Sequence, residues 1–288
     1  MPPPSPVVAR MEFSMLIRQR RRERGITADA VGEHLGFSRV YYSAVENSRA
    51  VLADAKLGPL VKFLGFDEPE AEKLAEVLGI ARTTGWWTPY SSLVGDQLTE
   101  LLGLEYGAAS TRIYESRVIT GLLQTRAYAT EVINAAPDVS LTDAPRHLEL
   151  RMRRQDRLGG PDPLKLEVVL GEAALMQQFG GPRVLRDQLQ HLLATVEGSS
   201  SVHVRVQPFD ITPLGLINAT TVVFFDYDSP YLPTIAWQEA GEIRRVERDP
   251  EVVARLLLNY HQTLASSLDE AGSLDLIQKR IDALTSAL

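Results

Sequence analysis

The stretch that decides the fold of the N-terminal region is GITADAVGEHLGFSRVYYSAVEN, residues 25–47. Thr27 is a favourable N-cap for a first helix, and Gly36 suits the left-handed backbone that ends it. Ser38 is placed to cap a second helix over Arg39–Glu46. Two short helices joined by so tight a turn are typical of the helix-turn-helix that reads the major groove of DNA.

The second helix of this pair has one apolar face and one face free to meet DNA. Tyr42 and Val45, three residues apart, are expected to pack inward together with Phe37. The opposite face is then left toward solvent or a major groove. The residues predicted to contact DNA are Arg18, Arg22, Thr27, Ala28, Ser38, Arg39, Val40, Tyr41, Ser43, Ala44, Asn47 and Arg49.

The segment before the pair, residues 13–24, is strongly basic. Its arginines, which crowd around a narrow apolar stripe, are Arg18, Arg20, Arg21, Arg22 and Arg24. Over residues 10–49 eight Arg stand against five Asp or Glu, in a chain whose net charge is -7. A local positive excess favours a surface that faces phosphate. The alternative is a plain helical hairpin, because capped helix pairs joined by glycine are common and most touch no nucleic acid.

The whole-chain composition sets wider limits. A length of 288 residues predicts two domains, and 44% hydrophobic with 23% charged residues is ordinary for a globular protein. The chain contains no apolar run of about 18 residues, so we expect no membrane contact. The start, MPPPSPVVARME, lacks the pattern of a signal peptide, and we interpret residues 1–10 as a disordered tail. Zero cysteine excludes disulfides and thiolate chemistry, and a reducing cytoplasm fits.

Periodicity divides the chain further. Helical patterns continue to residue 80, and the break ARTTGWWT marks a hinge over residues 81–88. Beyond it, strand signals alternate with helix signals, which predicts a mixed α/β domain over residues 89–288. The predicted strands are Thr111–Tyr114, Leu164–Leu170, Ser201–Gln207 and Thr220–Tyr227. The predicted fold is therefore α+β with two domains, of which the all-α helix-turn-helix domain spans residues 11–80.

The order of several short motifs resembles one known group. These motifs are Gly85-Trp86-Trp87, Leu104-Glu105, Ala109-Ser110, Tyr114-Glu115, Gly121–Thr125, Tyr128-Ala129, Arg151–Gln155, Glu172–Leu175 and Val206–Phe209. In their order and spacing the chain is similar to the actinomycete XRE-type regulators of the WhiJ group. The resemblance implies a lambda-repressor-like N-terminal bundle that binds a double-stranded DNA operator, and a C-terminal domain of poorly defined role. It also implies a small acidic partner protein.

Some residues depart from that group's pattern. Ala28 stands where such repressors usually carry Gln, and Val40, Tyr41 and Ala44 occupy positions where hydrogen-bonding side chains are expected. Arg39 is left as the main candidate for a guanine contact, so we expect modest sequence discrimination. An antitoxin-like or sequestering interaction module with a degenerate helix-turn-helix is the alternative.

The sequence lacks the common enzymatic motifs. It contains no GxSxG, GxGxxG, P-loop or HExxH pattern, and its five histidines show no paired metal-ligand spacing. We therefore predict no catalytic residue, no cofactor and no metal, with an enzyme of unrecognised site as the third hypothesis.

The C-terminal domain still needs a purpose, because a DNA-reading head requires only about 70 residues. We predict that it holds a homodimer and senses a small-molecule effector or a protein partner. The candidate ligand-binding residues are Trp86, Trp87, Tyr90, Tyr114, Gln124 and Arg153. The alternative for each aromatic residue is that it fills the core between the domains.

Overall fold

Five helices and one core make up the N-terminal unit of the computed structural model, which describes residues 1–137, 139–241 and 243–288. The helices are α1 (Pro6–Glu23), α2 (Ala28–Leu35), α3 (Arg39–Glu46), α4 (Leu57–Leu64) and α5 (Glu68–Ala81). The side chains that they bury together include Phe13, Ile17, Val31, Leu35, Tyr42, Val45, Leu60 and Leu74. These are the apolar positions that the 3.6-residue period places on one face of each helix.

The turn between α2 and α3 forms as its residues predict. The Thr27 hydroxyl accepts a hydrogen bond from the amide of Ala30 at 3.2 Å, so it caps α2. Gly36 ends that helix with a φ of 68°, in the left-handed region that a residue without Cβ adopts freely. Ser38 then caps α3 by accepting from the amide of Tyr41 at 3.2 Å. The predicted pair of helices is confirmed.

The N-terminal helix starts earlier than the sequence predicts. Pro6 is the first residue of α1, and Ser5 lies buried before it as the N-cap. The prediction of a disordered tail over residues 1–10 is therefore wrong for residues 6–10. Its basis was the proline run, but proline is favourable in the first turn of a helix, where its missing N–H costs nothing.

A six-stranded mixed sheet with helices on both faces forms the C-terminal unit. The strands are β1 (Ser110–Glu115), β2 (Lys165–Gly171), β3 (Val202–Gln207), β4 (Thr221–Asp226), β5 (Ile235–Ala240) and β6 (Ile243–Glu247). The helices are α6 (Ser91–Gly107), α7 (Arg126–Asn134), α8 (Ala144–Arg154), α9 (Ala173–Met176), α10 (Gly181–Glu197), α11 (Pro250–Ala265) and α12 (Glu270–Ser286). The spatial order is β3-β2-β1-β4-β5-β6. The first three strands run parallel, and β4, β5 and β6 each pair antiparallel with their neighbours. The predicted two-domain α+β fold, with a mixed C-terminal domain, is confirmed.

The two faces of this sheet bury different clusters. Ile113 and Trp237 point into the larger core, which α6, α10 and α12 help to close. Tyr114 and Phe224 point to the other face, where they pack with Tyr260 of α11. Successive side chains of a strand alternate between faces, so Ile113 and its neighbour Tyr114 in β1 lie on opposite faces of the sheet.

The first helix belongs to both units. Val7 and Met11 pack into the larger C-terminal core, whereas Phe13 and Ile17 further along the helix belong to the N-terminal core. The hydroxyl of Ser5 also donates to the carbonyl of Gly103 in α6 at 2.7 Å. The two units on either side of the segment predicted as a hinge, residues 81–88, are thus also joined by α1, which packs into both cores.

That crossing depends on two glycines of α6. A Cβ at Gly103 would overlap the side chain of Val7, and one at Gly107 would overlap Val8. The glycines allow the backbones of α1 and α6 to approach closely. They also lower the helix propensity of this segment.

Candidate nucleic-acid interface

The exposed face of α3 is the part of the helix-turn-helix available to a major groove. Val40 is 79% exposed, and Arg39 and Ser43 lie exposed on either side of it along the helix. The guanidinium of Arg39 makes an ion pair with Asp29 of α2, Nε to Oδ1, at 3.2 Å. Because both side chains are mostly exposed, this pair is weak and Arg39 can exchange it for a base edge or a phosphate.

The starts of α2 and α3 present exposed caps. Thr27 and Ser38 are exposed, but their hydroxyl oxygens already accept backbone amides. The amide groups of a helix's first turn favour anions, so both starts suit phosphate. Ala28 is half-buried against the core and offers only a methyl group.

Tyr41 does not lie where the sequence predicts. It was expected on the groove-facing surface, but its hydroxyl donates to the carbonyl of Val51 at 3.0 Å. Its ring also meets Phe37 edge-on, with centroids 4.6 Å apart. Tyr41 therefore holds the loop after α3 to the corner of the motif, and helical spacing alone cannot reveal this contact.

The end of α3 is also occupied by internal contacts. The side-chain amide of Asn47 donates to the carbonyl of Ser43 at 2.7 Å, and its oxygen accepts from Arg18 at 2.9 Å. The half-buried Ala44 accepts the amide of Arg49 at 2.8 Å through its carbonyl. Asn47 is exposed, and its side-chain oxygen has a second lone pair with which it can still accept a hydrogen bond from a base.

Three of the five arginines in the basic segment serve the fold. Arg18 donates to the carbonyl of Glu46 as well as to Asn47, so it caps the end of α3. Arg20 donates to Glu70 and lies 4.7 Å from the centre of the Phe66 ring. These side chains therefore make contacts within the fold, and the contact of Arg18 with phosphate stays a prediction. A count of charges along the sequence does not reveal the carboxylates and carbonyls that the fold places next to these arginines.

The third of these arginines forms a buried cluster that sequence reasoning missed. Arg21 meets Glu46 through two hydrogen bonds, Nε to Oε1 at 2.5 Å and Nη2 to Oε2 at 3.0 Å. The hydroxyl of Tyr42 donates to the same carboxylate at 2.9 Å. Burial, together with the Glu46 carboxylate, raises the pKa of Tyr42, and the hydrogen bond to Glu46 raises the pKa of Arg21. This cluster fixes the position of α3 against α1.

The basic side chains that remain exposed near the motif are few. Arg22 and Arg24 lie exposed at the end of α1, and Arg49 lies exposed in the loop after α3. Arg39 on α3 and Arg49 directly after it keep positive charge beside the exposed face of α3, which is what a phosphate backbone requires, whereas the guanidinium of Arg24 lies next to Gly65.

The six predicted ligand-binding residues do not form one site. The guanidinium of Arg153 stacks 4.7 Å from the ring of Trp86, beside a surface cleft of about 400 Å³. Trp87 and Tyr90 are buried in the larger core and contact Trp86 edge-on. These aromatic residues fill the junction of the domains, which is the alternative considered for them.

The other two predicted residues lie apart from this cluster. Tyr114 points to the opposite face of the sheet, because it is adjacent to Ile113 in β1 and so alternates with it. Gln124 is buried at the wall of a separate cavity over the sheet. The prediction of a shared pocket is therefore wrong.

Two other features are absent from the residues that the structure describes. Within residues 1–137, 139–241 and 243–288, no three His, Cys, Asp or Glu side chains group closely enough to hold a metal ion. In the same described ranges, no helix has both the length and the apolar character needed to cross a membrane.

Comparison with known families identifies both units. A family model described as a helix-turn-helix domain matches residues 12–83. A second, described as a domain of unknown function, DUF5753, matches residues 98–279. No curated protein and no solved structure matches the chain. Because the second model covers more than half of the chain, the protein belongs to the DUF5753 family.

Proposed function

We propose that this DUF5753 family member is a sequence-specific transcriptional regulator, in which the helix-turn-helix binds operator DNA. The observation that carries the proposal is the exposed face of α3, held at a fixed angle by the buried Arg21–Glu46 pair. A reading helix must present its side chains in one orientation, because base contacts require hydrogen bonds of defined geometry.

The distribution of charge supports a local contact with DNA. From residue 81 onward the chain carries 19 Lys or Arg against 26 Asp or Glu, which accounts for its whole net charge of -7. The exposed arginines at the end of α1 and around α3 are therefore the positive surface of an otherwise acidic protein. Such a surface neutralises phosphates near α3, while the rest of the molecule is repelled.

The composition of the reading face supports modest specificity. Arg39 is the side chain able to form a bidentate contact with guanine, and Val40 is placed to meet a thymine methyl group. Because so few side chains of α3 can form hydrogen bonds with bases, one copy of the protein distinguishes only a few base pairs. We propose that two copies bind together, with half-sites about one helical turn, roughly 34 Å, apart.

The C-terminal domain would then hold the dimer and receive a signal from a small molecule or a protein partner. The resemblance to WhiJ-group regulators supports a protein partner. A ligand can change operator affinity only if it binds two conformations of the protein unequally. We assign no enzymatic role to either domain.

A second candidate function has one observation in its favour. Val40 is almost fully exposed in the middle of the reading face, and an apolar side chain there also suits contact with a protein. In that case the helix-turn-helix would be an antitoxin-like or sequestering interaction module.

The test separates the two functions through Arg39. Duplexes selected by the full-length protein from a random pool serve as the operator, and each base pair is then varied in turn. Arg39→Ala is expected to cost about 1–3 kcal/mol at one base pair and to relax the preference there. Arg255→Ala, which removes an exposed arginine of α11, is the matched control. Equal affinity of wild type and Arg39→Ala for every duplex would favour the interaction module.

A further inference from the structure

The C-terminal domain contains a cavity of about 460 Å³ over the face of the sheet that meets the larger core. Strands β1, β4 and β5 form its floor, and α6, α7 and α8 contribute its walls. Its size lies in the usual range for sites that bind small organic molecules. Of the residues predicted to bind a ligand, only Gln124 lines it.

The register of the strands arranges the floor in two rows. Ile113, Val223 and Trp237 are direct cross-strand neighbours and make an apolar row. Glu115, Thr221 and Glu239 follow as the next row on the same face. A molecule lying across these strands would therefore meet an apolar surface at one end and polar groups at the other.

The walls repeat this division. Their apolar side chains, contributed by α6 and by α7 and the loop after it, include Leu93, Leu98, Leu101, Val132, Ile133 and Val139. Their charged side chains include three arginines, Arg151 and Arg154 of α8 and Arg244 of β6. The cavity is thus amphipathic, and its charges decide what it can hold.

Two of the three arginines already face a carboxylate. Arg154 makes a bidentate pair with Glu105, with N–O distances of 2.8 and 2.7 Å. Arg244 pairs with Glu239 at 3.3 Å. These pairs brace the walls, and their charges cancel within the cavity.

The third arginine has a different environment. Arg151 donates to the side-chain oxygen of Gln124 at 2.8 Å, and that amide is neutral. Gln124 itself is held in place, because its side-chain nitrogen, Nε2, donates to the carbonyl of Ile119 at 2.7 Å. The charge of Arg151 is therefore positioned but not neutralised by a hydrogen-bonded carboxylate.

Two carboxyl groups of the floor act electrostatically on Arg151: Glu239, which is paired with Arg244, and Glu115, which does not supply the missing charge either. Its carboxylate accepts a hydrogen bond from Thr221 at 2.7 Å rather than from Arg151. Burial raises the pKa of Glu115 to about 8, so it is mostly protonated at neutral pH. Burial also lowers the pKa of Arg151, to about 10, which still leaves the guanidinium charged.

We infer that this cavity binds a small organic acid, with its acidic group on Arg151 and its apolar body on the row that contains Trp237. A guanidinium offers a carboxylate two parallel N–H donors, and the surrounding low dielectric strengthens that contact. This inference rests on the proposed function, since it gives the regulator a chemical class of effector.

The cavity also has a physical connection to the DNA-binding domain. Leu101 and Glu105 of α6 line it, while Gly103 on the same helix packs against Val7 of α1. Further along, α1 carries Phe13 and Ile17 into the core of the helix-turn-helix domain. A ligand that shifts α6 therefore acts on the helix that supports α3.

The test measures ligand binding to the full-length protein without DNA. The probes are octanoate and 4-phenylbutyrate, compared with octanamide and octylamine, which have the apolar body of octanoate but no negative charge. We expect an acid to bind at least about tenfold more tightly than the amide, which offers Arg151 one neutral acceptor oxygen, and than the amine, whose positive charge is repelled.

Variants of α8 and α6 locate the binding. Arg151→Met should weaken binding of the acid by at least about tenfold, whereas Arg153→Met, which alters the exposed arginine stacked on Trp86, should leave it unchanged. Leu98→Trp keeps the charge but fills the cavity, and it should also abolish binding. Thermal unfolding shows that each variant is folded, and Leu98→Trp decides the outcome if Arg151→Met does not fold.

The outcomes separate this inference from the proposed function. Equal binding of octanoate and octanamide, equal effects of Arg151→Met and Arg153→Met, or no binding of either acid would overturn it. Each of these results is independent of DNA. Operator titrations with and without the bound acid then show whether the site controls the reader, and loss of operator binding alone would count against the regulator and not against the acid site.

Discussion

A half-buried arginine has opposite surroundings in the two domains. In the helix-turn-helix domain, Arg21 is fully paired with Glu46 and the cluster is closed by Tyr42. In the C-terminal domain, Arg151 faces a cavity and its hydrogen-bond partner is the neutral amide of Gln124. The first arrangement fixes a structure, because every charge has its partner. The second leaves a charge available, which is what a binding site needs.

The largest effect is expected when the paired arginine loses its partner. Glu46→Ala leaves the half-buried guanidinium of Arg21 and the buried hydroxyl of Tyr42 without their carboxylate partner, and it should lower the free energy of unfolding by about 2–3 kcal/mol. Urea unfolding followed by circular dichroism measures this change. Glu33→Ala, at an exposed position of α2, is the control. A loss as small as that of the control would mean that the pair does not hold α3 in place.

The cavity side of the comparison predicts a dependence on pH. In the folded protein the pKa of Glu115 is raised to about 8 from an ordinary value of 4.5. Below pH 4.5 both folded and unfolded states hold the proton. Between pH 4.5 and 8 only the folded state holds the proton. Each rise of one pH unit in this window therefore lowers the free energy of unfolding by up to about 1.4 kcal/mol.

Glu115→Gln removes this titrating group. The stability of the variant relative to wild type should therefore rise from pH 5 to pH 8, as measured by urea unfolding at several pH values. Glu197→Gln, at an exposed position of α10, should show no such trend. Parallel pH profiles for wild type and Glu115→Gln would show that Glu115 is ionised at neutral pH, and Arg151 would then have a counter-ion.

The smallest expected effect distinguishes arginines of the fold from arginines of the surface. Arg22→Ala and Arg49→Ala should each reduce the slope of log affinity against log salt by about 0.9, because each removes one phosphate contact. Arg18→Ala should instead lower stability by about 1 kcal/mol, since Arg18 caps α3 through Glu46 and Asn47. A flattened salt slope with unchanged stability for Arg18→Ala would reverse this assignment.

Local chemistry made the helix-turn-helix predictable. The caps at Thr27 and Ser38 and the left-handed Gly36 act within four residues, so the sequence contains everything that forms them. The contact of Tyr41 with Val51 joins α3 to a loop without any periodic signal. The pairing of Arg21 with Glu46 joins positions 25 residues apart. Charge and periodicity therefore located the motif, but they could not reveal which of its side chains make contacts inside the protein.

The cavity could not be predicted from the sequence, because it too depends on contacts between distant residues. Its floor exists only once β1, β4 and β5 are in register, and β5 was not predicted. Aromatic residues drew attention to Trp86 and Trp87 instead, which pack at the junction of the domains. Gln124 was identified, but its neighbour Arg151 was noted only as part of a motif. The functional difference between Arg151 and Arg153 depends on which face of α8 meets the cavity.

The measurement that tests the central claim most directly is selection of DNA duplexes from a random pool by the full-length protein. We predict enrichment of a two-fold symmetric sequence whose half-sites lie about 10 base pairs apart, bound by two copies of the chain. Selection with Arg39→Ala should blur one position in each half-site. If no sequence is enriched above the starting pool, although the protein is folded and the salt concentration is low, the helix-turn-helix does not read DNA and the account is contradicted.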